Sequence, residues 1–356
     1  NASASERSYT AAMRFAHAIE RTVMLPIRSN DTDLMLRALA SLFFYTRFFT
    51  RFSRVGLRQR QRDWQAYPER LDGQTWLITG ASGGIGAAIA RMAHARGARV
   101  LAAARSGDKL ASLVRAADTN MVPLQVDFSS IADTRRLVQD LSARNERIDV
   151  LVNNVGVLLD RFELTAEGLE TSFVTNLLSH FVLTEGLHAA ARFANGAAVI
   201  NMSSGGMYGS PLRLAEMAAN NGQDYDGMAA YAMHKRAQVE LTRAWNQRWQ
   251  GSPRVYAMHP GWADTAGVQT ALPWFRAALR AQLRSSEDSA DTALWLGTTR
   301  PSTASAGGIW LDRVLDPEHA FALTRKATPT ADDLYAFLAT KSASVRQVAK
   351  RIAKGA

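Results

Sequence analysis

From residue 72 to residue 325 the chain alternates short apolar or β-branched runs with longer stretches whose apolar positions recur at helical spacing. A parallel sheet covered by helices on both faces leaves that pattern, because its strands are buried on both sides. The runs predict seven strands, at 75–79, 99–104, 121–127, 148–153, 197–203, 254–259 and 308–311. Helices are expected between them at 86–95, 131–144, 167–193, 229–250 and 288–298, each long enough for a right-handed crossover. The predicted fold is α/β: a single doubly wound domain with a seven-stranded parallel sheet over 72–325. A helical extension (1–71) precedes it and a helical basic tail (326–356) follows.

The extension has a different composition. Leu36, Leu39, Leu42, Phe43, Phe48, Phe49 and Phe52 supply an apolar surface, and Arg47, Arg51, Arg54 and Arg58 supply charge. Such a segment suits a helix lying in a membrane interface, and it equally suits packing across the sheet domain or a partner subunit. Residues 1–70 hold 12 Arg and no Lys against 6 acids, which is +6 of the net +10. No nucleic-acid motif accompanies these arginines, so no nucleic-acid partner is expected.

The longest apolar candidate, 34–49, is interrupted by Arg37 and Arg47 and falls short of the roughly 20 residues that span a bilayer. The first residues lack a signal-peptide pattern. The chain is therefore expected to be soluble and cytoplasmic, or peripheral at a membrane surface. Its length of 356 residues, 47% of them hydrophobic, suffices for a substantial core. Cysteine is absent, which excludes disulfides, thiolate nucleophiles and cysteine metal sites. No metal site is expected.

Residues 76–86 read Trp-Leu-Ile-Thr-Gly-Ala-Ser-Gly-Gly-Ile-Gly, running from a predicted strand straight into a helix. In that context Gly80 allows the tight turn, Gly84 lets the backbone approach a pyrophosphate, and Gly86 permits close helix and strand packing. The helix N-terminus offers unpaired N–H donors, to which Ser82 and Ile85 add. Arg105 follows the second strand, where an adenosine ribose would sit. An arginine there accommodates the 2′-phosphate of NADP, whereas a carboxylate would bind the 2′-hydroxyl of NAD. Arg105 also reads as a solvated strand-end charge. Asp127, after the third strand, can accept from an adenine amino group or serve as a cap or turn aspartate before Ser129 and Ser130.

Downstream, Tyr231 and Lys235 stand four apart in Tyr-Ala-Met-His-Lys, one helical turn from each other on one face. Alone the spacing is uninformative, since such pairs often merely solvate a helix. Here Thr-Gly-x-x-x-Gly-Ile-Gly at 79–86, Asn-Asn-Val-Gly at 153–156, Ser204, the Tyr-x-x-x-Lys at 231–235 and Pro-Gly at 260–261 occur in order. Together they resemble the short-chain dehydrogenase/reductase family over about residues 72–312. The resemblance implies a Rossmann fold, a nicotinamide cofactor, NADP preferred with NAD as the alternative, and a catalytic set at Asn176, Ser204, Tyr231 and Lys235. It also implies cofactor contacts from Asn153, Gly156, Tyr231, Lys235, Pro260, Gly261 and Thr265, and a homodimer, since the family often pairs through its long helices.

The chemistry is consistent from first principles. A carbonyl that accepts hydride develops oxyanion charge and must gain a proton, which Tyr231 can donate. A phenol with an ordinary pKa of about 10 needs help near neutrality, and the Lys235 charge is expected to favour the phenolate. Ser204 can hydrogen-bond the reacting oxygen, with Ser203 as the alternative serine. By the resemblance, Asn176 holds a water or a backbone kink in the proton relay.

Two departures stand out. Val155 replaces the usual alanine of Asn-Asn-Ala-Gly, and the 27 residues from Ser204 to Tyr231 imply an inserted loop, 212–226, bordering the substrate cleft. Val268, Leu272, Trp274, Phe275, Leu279 and Leu283 form either an apolar lid or ordinary core. As a lid they imply a lipophilic alcohol or carbonyl substrate. The alternative function is a nucleotide-responsive binding or regulatory protein, which would commonly lack Tyr231 or Lys235, and a membrane-docked scaffold is a third.

Overall fold

The computed structural model describes residues 48–355 apart from 116–119, 218–221, 223–224, 266–268, 270–275, 278, 303–307, 321 and 326–328. Its strands are β1 (Thr75–Thr79), β2 (Arg99–Ala104), β3 (Met121–Gln125), β4 (Ile148–Asn153), β5 (Phe193–Met202), β6 (Arg254–Met258), β7 (Ile309–Leu311) and β8 (Val314–Asp316). They form one sheet in the order β3-β2-β1-β4-β5-β6-β7-β8. The first seven run parallel and β8 pairs antiparallel with β7. Chain order reverses between β1 and β4, so a crevice opens beyond the carboxyl ends of those two strands.

Successive strand residues point to opposite faces, and the two faces feed two cores. Leu77, Leu101, Leu151, Val199 and Val255 join one core. Trp76, Ile78, Val100, Ala102, Val150, Ile200 and Tyr256 join the other. The first face is covered by α4 (Ile131–Ala143), α5 (Ser179–Ala189) and α6 (Gly227–Trp249), and the second by α2 (Gly84–His94) and α7 (Ser286–Thr299). A helix α3 (Gly107–Arg115), absent from the predicted set, joins β2 to β3.

Three expectations are corrected. The sheet has eight strands rather than seven: Asp312 and Arg313, at φ 51° and 64°, make a two-residue hairpin turn with no glycine to announce it. The third strand stops at Gln125, because the Asp127 carboxylate turns back to accept from the Ser129 N–H at 2.9 Å and its hydroxyl at 2.7 Å. The helix expected over 167–193 starts at Thr171, passes through a π-helical turn at Val174–Leu178 and ends at Ala189, while Phe193 already opens β5.

The described parts of both flanking segments pack on the sheet domain. At the N-terminal side, 48–52 are helical and α1 spans Arg54–Arg60. Phe48 and Phe52 are buried, stacked on each other at 4.5 Å, and Phe52 lies edge-on to His259 at 4.3 Å. Arg51 pairs with Asp316, and Arg60 Nε donates to Asp312 at 2.8 Å. For Phe48 and Phe52 the packing alternative is therefore the one observed. Leu36, Leu39, Leu42, Phe43 and Arg47 lie outside the described residues.

At the other end, α8 (Ala331–Gly355) sends Leu334, Leu338 and Val345 into the main core. Its Tyr335 meets Phe181 of α5 edge-on and sits 3.9 Å from the Arg248 guanidinium of α6. The limit at 325 thus marks a change of composition, not an edge of the core. Helix α8 therefore packs against both α5 and α6. No helix among the described residues is long and apolar enough to cross a membrane.

Candidate active site

The glycine turn joins β1 to α2 at the point of strand reversal. Gly80 has φ +68°, and a Cβ there would fall 2.9 Å from Asn154 Nδ2. A Cβ at Gly86 would fall 2.4 Å from the Gly80 carbonyl oxygen and 2.5 Å from Asn154 Nδ2. Both glycines therefore answer to Asn154, whose side-chain amide donates to Thr79 O at 2.8 Å. The Thr79 hydroxyl accepts from the N–H groups of Asn154 and Val155, both at 3.0 Å. These bonds tie the end of β1 to the end of β4.

Asn153, expected among the cofactor contacts, and its neighbour Asn154 face different surroundings. The Asn153 side chain is fully buried and donates to Thr184 Oγ1 at 3.0 Å and Asn201 Oδ1 at 2.9 Å. Neighbouring strand residues face opposite sides, so Asn153 is left with only its backbone to offer a nucleotide. Ser82, Gly84 and Ile85 line the start of α2 and are partly accessible. A Cβ on Gly84 would lie 3.6 Å from Thr265 Cγ2, which places Thr265 against the turn. Arg105 is exposed beyond β2, and Asp127 occupies the Ser129 turn described above. The glycine cradle, which side chains would fill, and the N–H groups opening α2 together fit a dinucleotide pyrophosphate.

Pro260 and Gly261 follow β6. Gly261 has φ +77°, and a Cβ there would lie 2.3 Å from Arg284 Cζ, so the buried guanidinium rests against this turn. Arg284 binds Asp312 at 2.5 and 3.0 Å and the Arg51 carbonyl at 2.9 Å, while Trp262 N–H donates to Phe52 O at 2.9 Å. The N-terminal aromatic segment is thereby part of the framework of the Pro-Gly loop, which the sequence did not reveal. Leu283 is buried and Leu279 partly so; Val268, Leu272, Trp274 and Phe275 lie outside the described residues.

At the carboxyl end of β5 the serine pair divides its duties. Ser203 is buried and its hydroxyl donates to the Lys235 carbonyl at 2.8 Å. Ser204 lies near enough to the Tyr231 phenol to pull its pKa down, its hydroxyl accepting from the Gly206 N–H at 3.5 Å, and Lys235 Nζ lies 5.5 Å from the Tyr231 ring centroid. Lys235 Nζ donates to Met202 O at 2.7 Å and to Gln238 Oε1 at 3.4 Å. Asn176 sits in the π-turn, where its Oδ1 accepts from Val157 N–H at 2.7 Å and its Nδ2 donates to Val157 O at 2.8 Å. A Cβ on Gly156 would meet Asn176 Oδ1 at 3.2 Å and Lys235 Nζ at 3.4 Å, so a bare backbone is what fits between them.

Burial pushes the Tyr231 phenol above its ordinary value of 10, against the pull of Ser204. Burial also pulls the Lys235 ammonium down to about 7. The expected lowering of Tyr231 by Lys235 is thus absent: at the pH where a phenol titrates, a lysine held near 7 has lost its charge. At neutral pH Tyr231 keeps its proton, the state a general acid requires.

The shift in Lys235 has a consequence for stability. An unfolded lysine titrates near about 10.4, so between about 7 and about 10.4 the unfolded chain holds a proton the native one has shed. Stability should therefore rise with pH across that window, the penalty being fully present below it. Denaturant unfolding at successive pH values should show this rise flattened in Lys235→Met.

The inserted segment is anchored at both ends. Leu212 and Met217 enter the main core, Asp226 caps α6, and Tyr225 OH donates to the buried Glu170 at 3.0 Å. Glu170 in turn accepts from Ser172 N–H at 2.7 Å at the start of the helix that carries Asn176. Among the site residues that the sequence did not single out, Gln238 was within reach of spacing, since it falls three after Lys235 on the same helical face.

A doubly wound sheet with a glycine turn at its switch point, and a serine, tyrosine and lysine at the end of its fifth strand, defines a nucleotide-dependent oxidoreductase class. The short chain dehydrogenase family model matches residues 74–274, and the chain belongs to that family. It is 33% identical to human dehydrogenase/reductase SDR family member 12 over 272 residues, covering 74% of this chain and 84% of that one. Bovine retinol dehydrogenase 12 is 34% identical over 199 residues, 54% of this chain and 62% of the relative. A crystal structure of an uncharacterized Mycobacterium paratuberculosis protein has the same fold, with a TM-score of 0.62 at 24% identity over 78% of this chain and 97% of the other.

Proposed function

We propose that the protein is an NADP-dependent oxidoreductase interconverting a lipophilic alcohol and its ketone or aldehyde. The observation that carries this reading is the Tyr231 phenol, protonated at neutral pH, beside Ser204 and with Lys235 Nζ 5.5 Å from its ring centroid. The nicotinamide nucleotide supplies or takes the hydride. Gly80, Gly84, Gly86 and the opening turn of α2 hold its pyrophosphate, Arg105 its 2′-phosphate, and Thr265 and the Pro260–Gly261 loop its nicotinamide end.

In reduction, Ser204 hydrogen-bonds the substrate oxygen and Tyr231 donates the proton that the developing alkoxide needs. In oxidation the phenolate takes it back. Lys235 supplies positive charge near the phenol, and Asn176 fixes the loop at Val157 through two hydrogen bonds. The lipophilic substrate class rests on the retinol named by one relative and on the apolar residues around 268–283. The test is a screen of nucleotide consumption across retinaldehyde, long-chain aldehydes and apolar ketones with NADPH and NADH. Turnover confined to NADPH and lipophilic carbonyls is the expected result, and nucleotide binding without any turnover would favour a binding protein instead.

Two further outcomes probe the periphery. Arg105→Ala should weaken NADPH binding roughly ten- to hundredfold, the size of one lost charge-assisted contact, while leaving NADH nearly unaffected. Isothermal titration with both nucleotides measures it, and equal losses would remove Arg105 from the 2′-phosphate. For membrane contact, the informative truncation removes 1–47 only, since Phe48 and Phe52 are part of the core around His259. Liposome flotation should be lost in that truncation if the basic segment is an anchor, and retained if it is not.

A further inference from the structure

Lys235 lies beneath the active site among groups that carry no opposite charge. From its own helix it is faced by Tyr231 and His234, from α5 by His180, and from β5 by the Met202 carbonyl. Gly156 approaches from the loop after β4. No carboxylate among the described residues enters this shell; burial alone accounts for the lowered ammonium. How long that ammonium stays charged near neutrality therefore depends on its neutral hydrogen-bond acceptors.

One of these acceptors is held by a chain of bonds with a fixed sense. His180 ring Nε2 lies 3.0 Å from the Val155 carbonyl, which can only accept, so Nε2 carries the hydrogen. Burial, reinforced by the charge of Lys235, pulls the imidazole down to about 3, so it is neutral and its Nδ1 is a bare acceptor. That Nδ1 lies 3.1 Å from Gln238 Nε2, which must donate to it. The same Gln238 nitrogen donates to the Asn176 carbonyl at 2.7 Å, a backbone group inside the π-turn. With both amide hydrogens committed, the orientation of Gln238 is set and its Oε1 is the atom that faces Lys235 Nζ.

We infer that Gln238, oriented by neutral His180 and the Asn176 carbonyl, is a positioning residue that holds the Lys235 ammonium charged and aimed beneath Tyr231. Its side chain bonds to the Asn176 carbonyl, His180 and Lys235, and it acts through Lys235. The inference rests on the reading of Tyr231 and Lys235 as the acid/base pair. It adds that the charge on this lysine is set by an amide three residues along the same helix face. The interaction is long, at 3.4 Å.

The test reads Lys235 directly, without substrate. The chain has six lysines, at 109, 235, 326, 341, 350 and 354, so carbon-13 labelling at lysine Cε gives few resonances, and Lys235→Arg assigns the one that matters. In the full-length protein, Gln238→Met keeps the volume and removes the acceptor. The Lys235 titration should then fall by about one unit, the scale of one hydrogen bond lost by a charged group. Gln238→Glu places a carboxylate beside the ammonium and should move the titration upward. Thr242→Val serves as the control: it removes two comparably buried bonds one turn along α6, from Thr242 Oγ1 to the Gln238 carbonyl and from Asn201 Nδ2 to Thr242 Oγ1, both 2.8 Å, and should leave the titration in place.

Opposite shifts in the two Gln238 variants, with none in the control, support the assignment. An unchanged titration in folded Gln238→Met or Gln238→Glu, or shifts of the same sign in both, would overturn it. Failure here is distinguishable from failure of the acid/base reading. A Tyr231→Phe protein that still turns over removes the acid/base role. A Lys235 resonance indifferent to position 238 removes only the positioning role.

Discussion

Tyr231→Phe should lower turnover by about 10²- to 10⁴-fold, the usual contribution of a positioned general acid, while nucleotide affinity stays close to wild type. The ring stays, so packing against Lys235 and the loop after β5 is preserved, and the substrate oxygen loses its proton donor. Because burial holds the phenol above its ordinary value, the wild-type residue is protonated across the neutral range. Ionisation of Tyr231 should accordingly limit reduction only in alkali. Oxidation should rise with pH over the same alkaline range, since it uses the phenolate. Opposed pH limbs in the two directions, both lost in Tyr231→Phe, would identify the group by its titration as well as by its removal. Progress curves in each direction from pH 6 to pH 10 supply the measurement. Equal rates in wild type and variant would remove Tyr231 from the proton transfer.

The second large effect concerns stability. Asp312→Ala should cost about 3–5 kcal/mol, because it leaves the buried Arg284 charge uncompensated. The carboxylate receives both Arg284 nitrogens and Arg60 Nε, and the Arg284 and Asp312 side chains are only 1% and 2% exposed. Burial already pulls the Arg284 guanidinium below its ordinary value, with Asp312 opposing that pull. The same cluster clasps the 48–60 segment to the sheet, through Arg51 O and Arg60, and rests against Gly261. Loss of the carboxylate should therefore weaken nucleotide binding as well as lower the denaturant midpoint. Asp312→Asn, which keeps hydrogen-bond acceptance, should show a smaller loss of both. A midpoint unchanged in Asp312→Ala would mean that the two arginines find other partners and that the N-terminal clasp does not depend on this cluster.

The parts of the fold that sequence reached are those where burial leaves a strong local signal. β1, β2 and β4 fall at the expected bounds because Trp76, Ile78, Val100 and Val152 belong to unbroken apolar runs covered on both faces. β8 was hidden because its turn uses Asp312 and Arg313 at positive φ, where glycine or asparagine is the usual marker. The π-turn around Asn176 adds a residue to a helical repeat, which periodicity averages over. The buried side chain of Asn153 was hidden for a simpler reason: neighbours along a strand face opposite sides, and composition cannot say which of Asn153 and Asn154 meets the glycine turn. Phe48 and Phe52 were ambiguous for a related reason, since an aromatic and arginine-rich face suits a membrane and a protein surface alike.

In the site, ordered motifs located Gly80, Ser204, Tyr231 and Lys235, whereas the groups that fix their geometry come from distant parts of the chain. Thr79 with Asn154, His180 with Gln238, and Arg284 with Asp312 are each 28 or more residues apart in sequence. Their association depends on which strands end side by side, information that belongs to topology and not to any local pattern.

The most direct test of the central claim is a single-turnover experiment with NADPH and retinaldehyde, following nucleotide absorbance in wild type and Tyr231→Phe after NADPH binding has been measured in both. The account predicts matched binding, one equivalent of NADPH consumed per site with alcohol formed in the wild type, and no measurable consumption on that timescale in the variant. Matched binding followed by equal consumption in the two proteins, or by none in the wild type with any carbonyl of the panel, would contradict it.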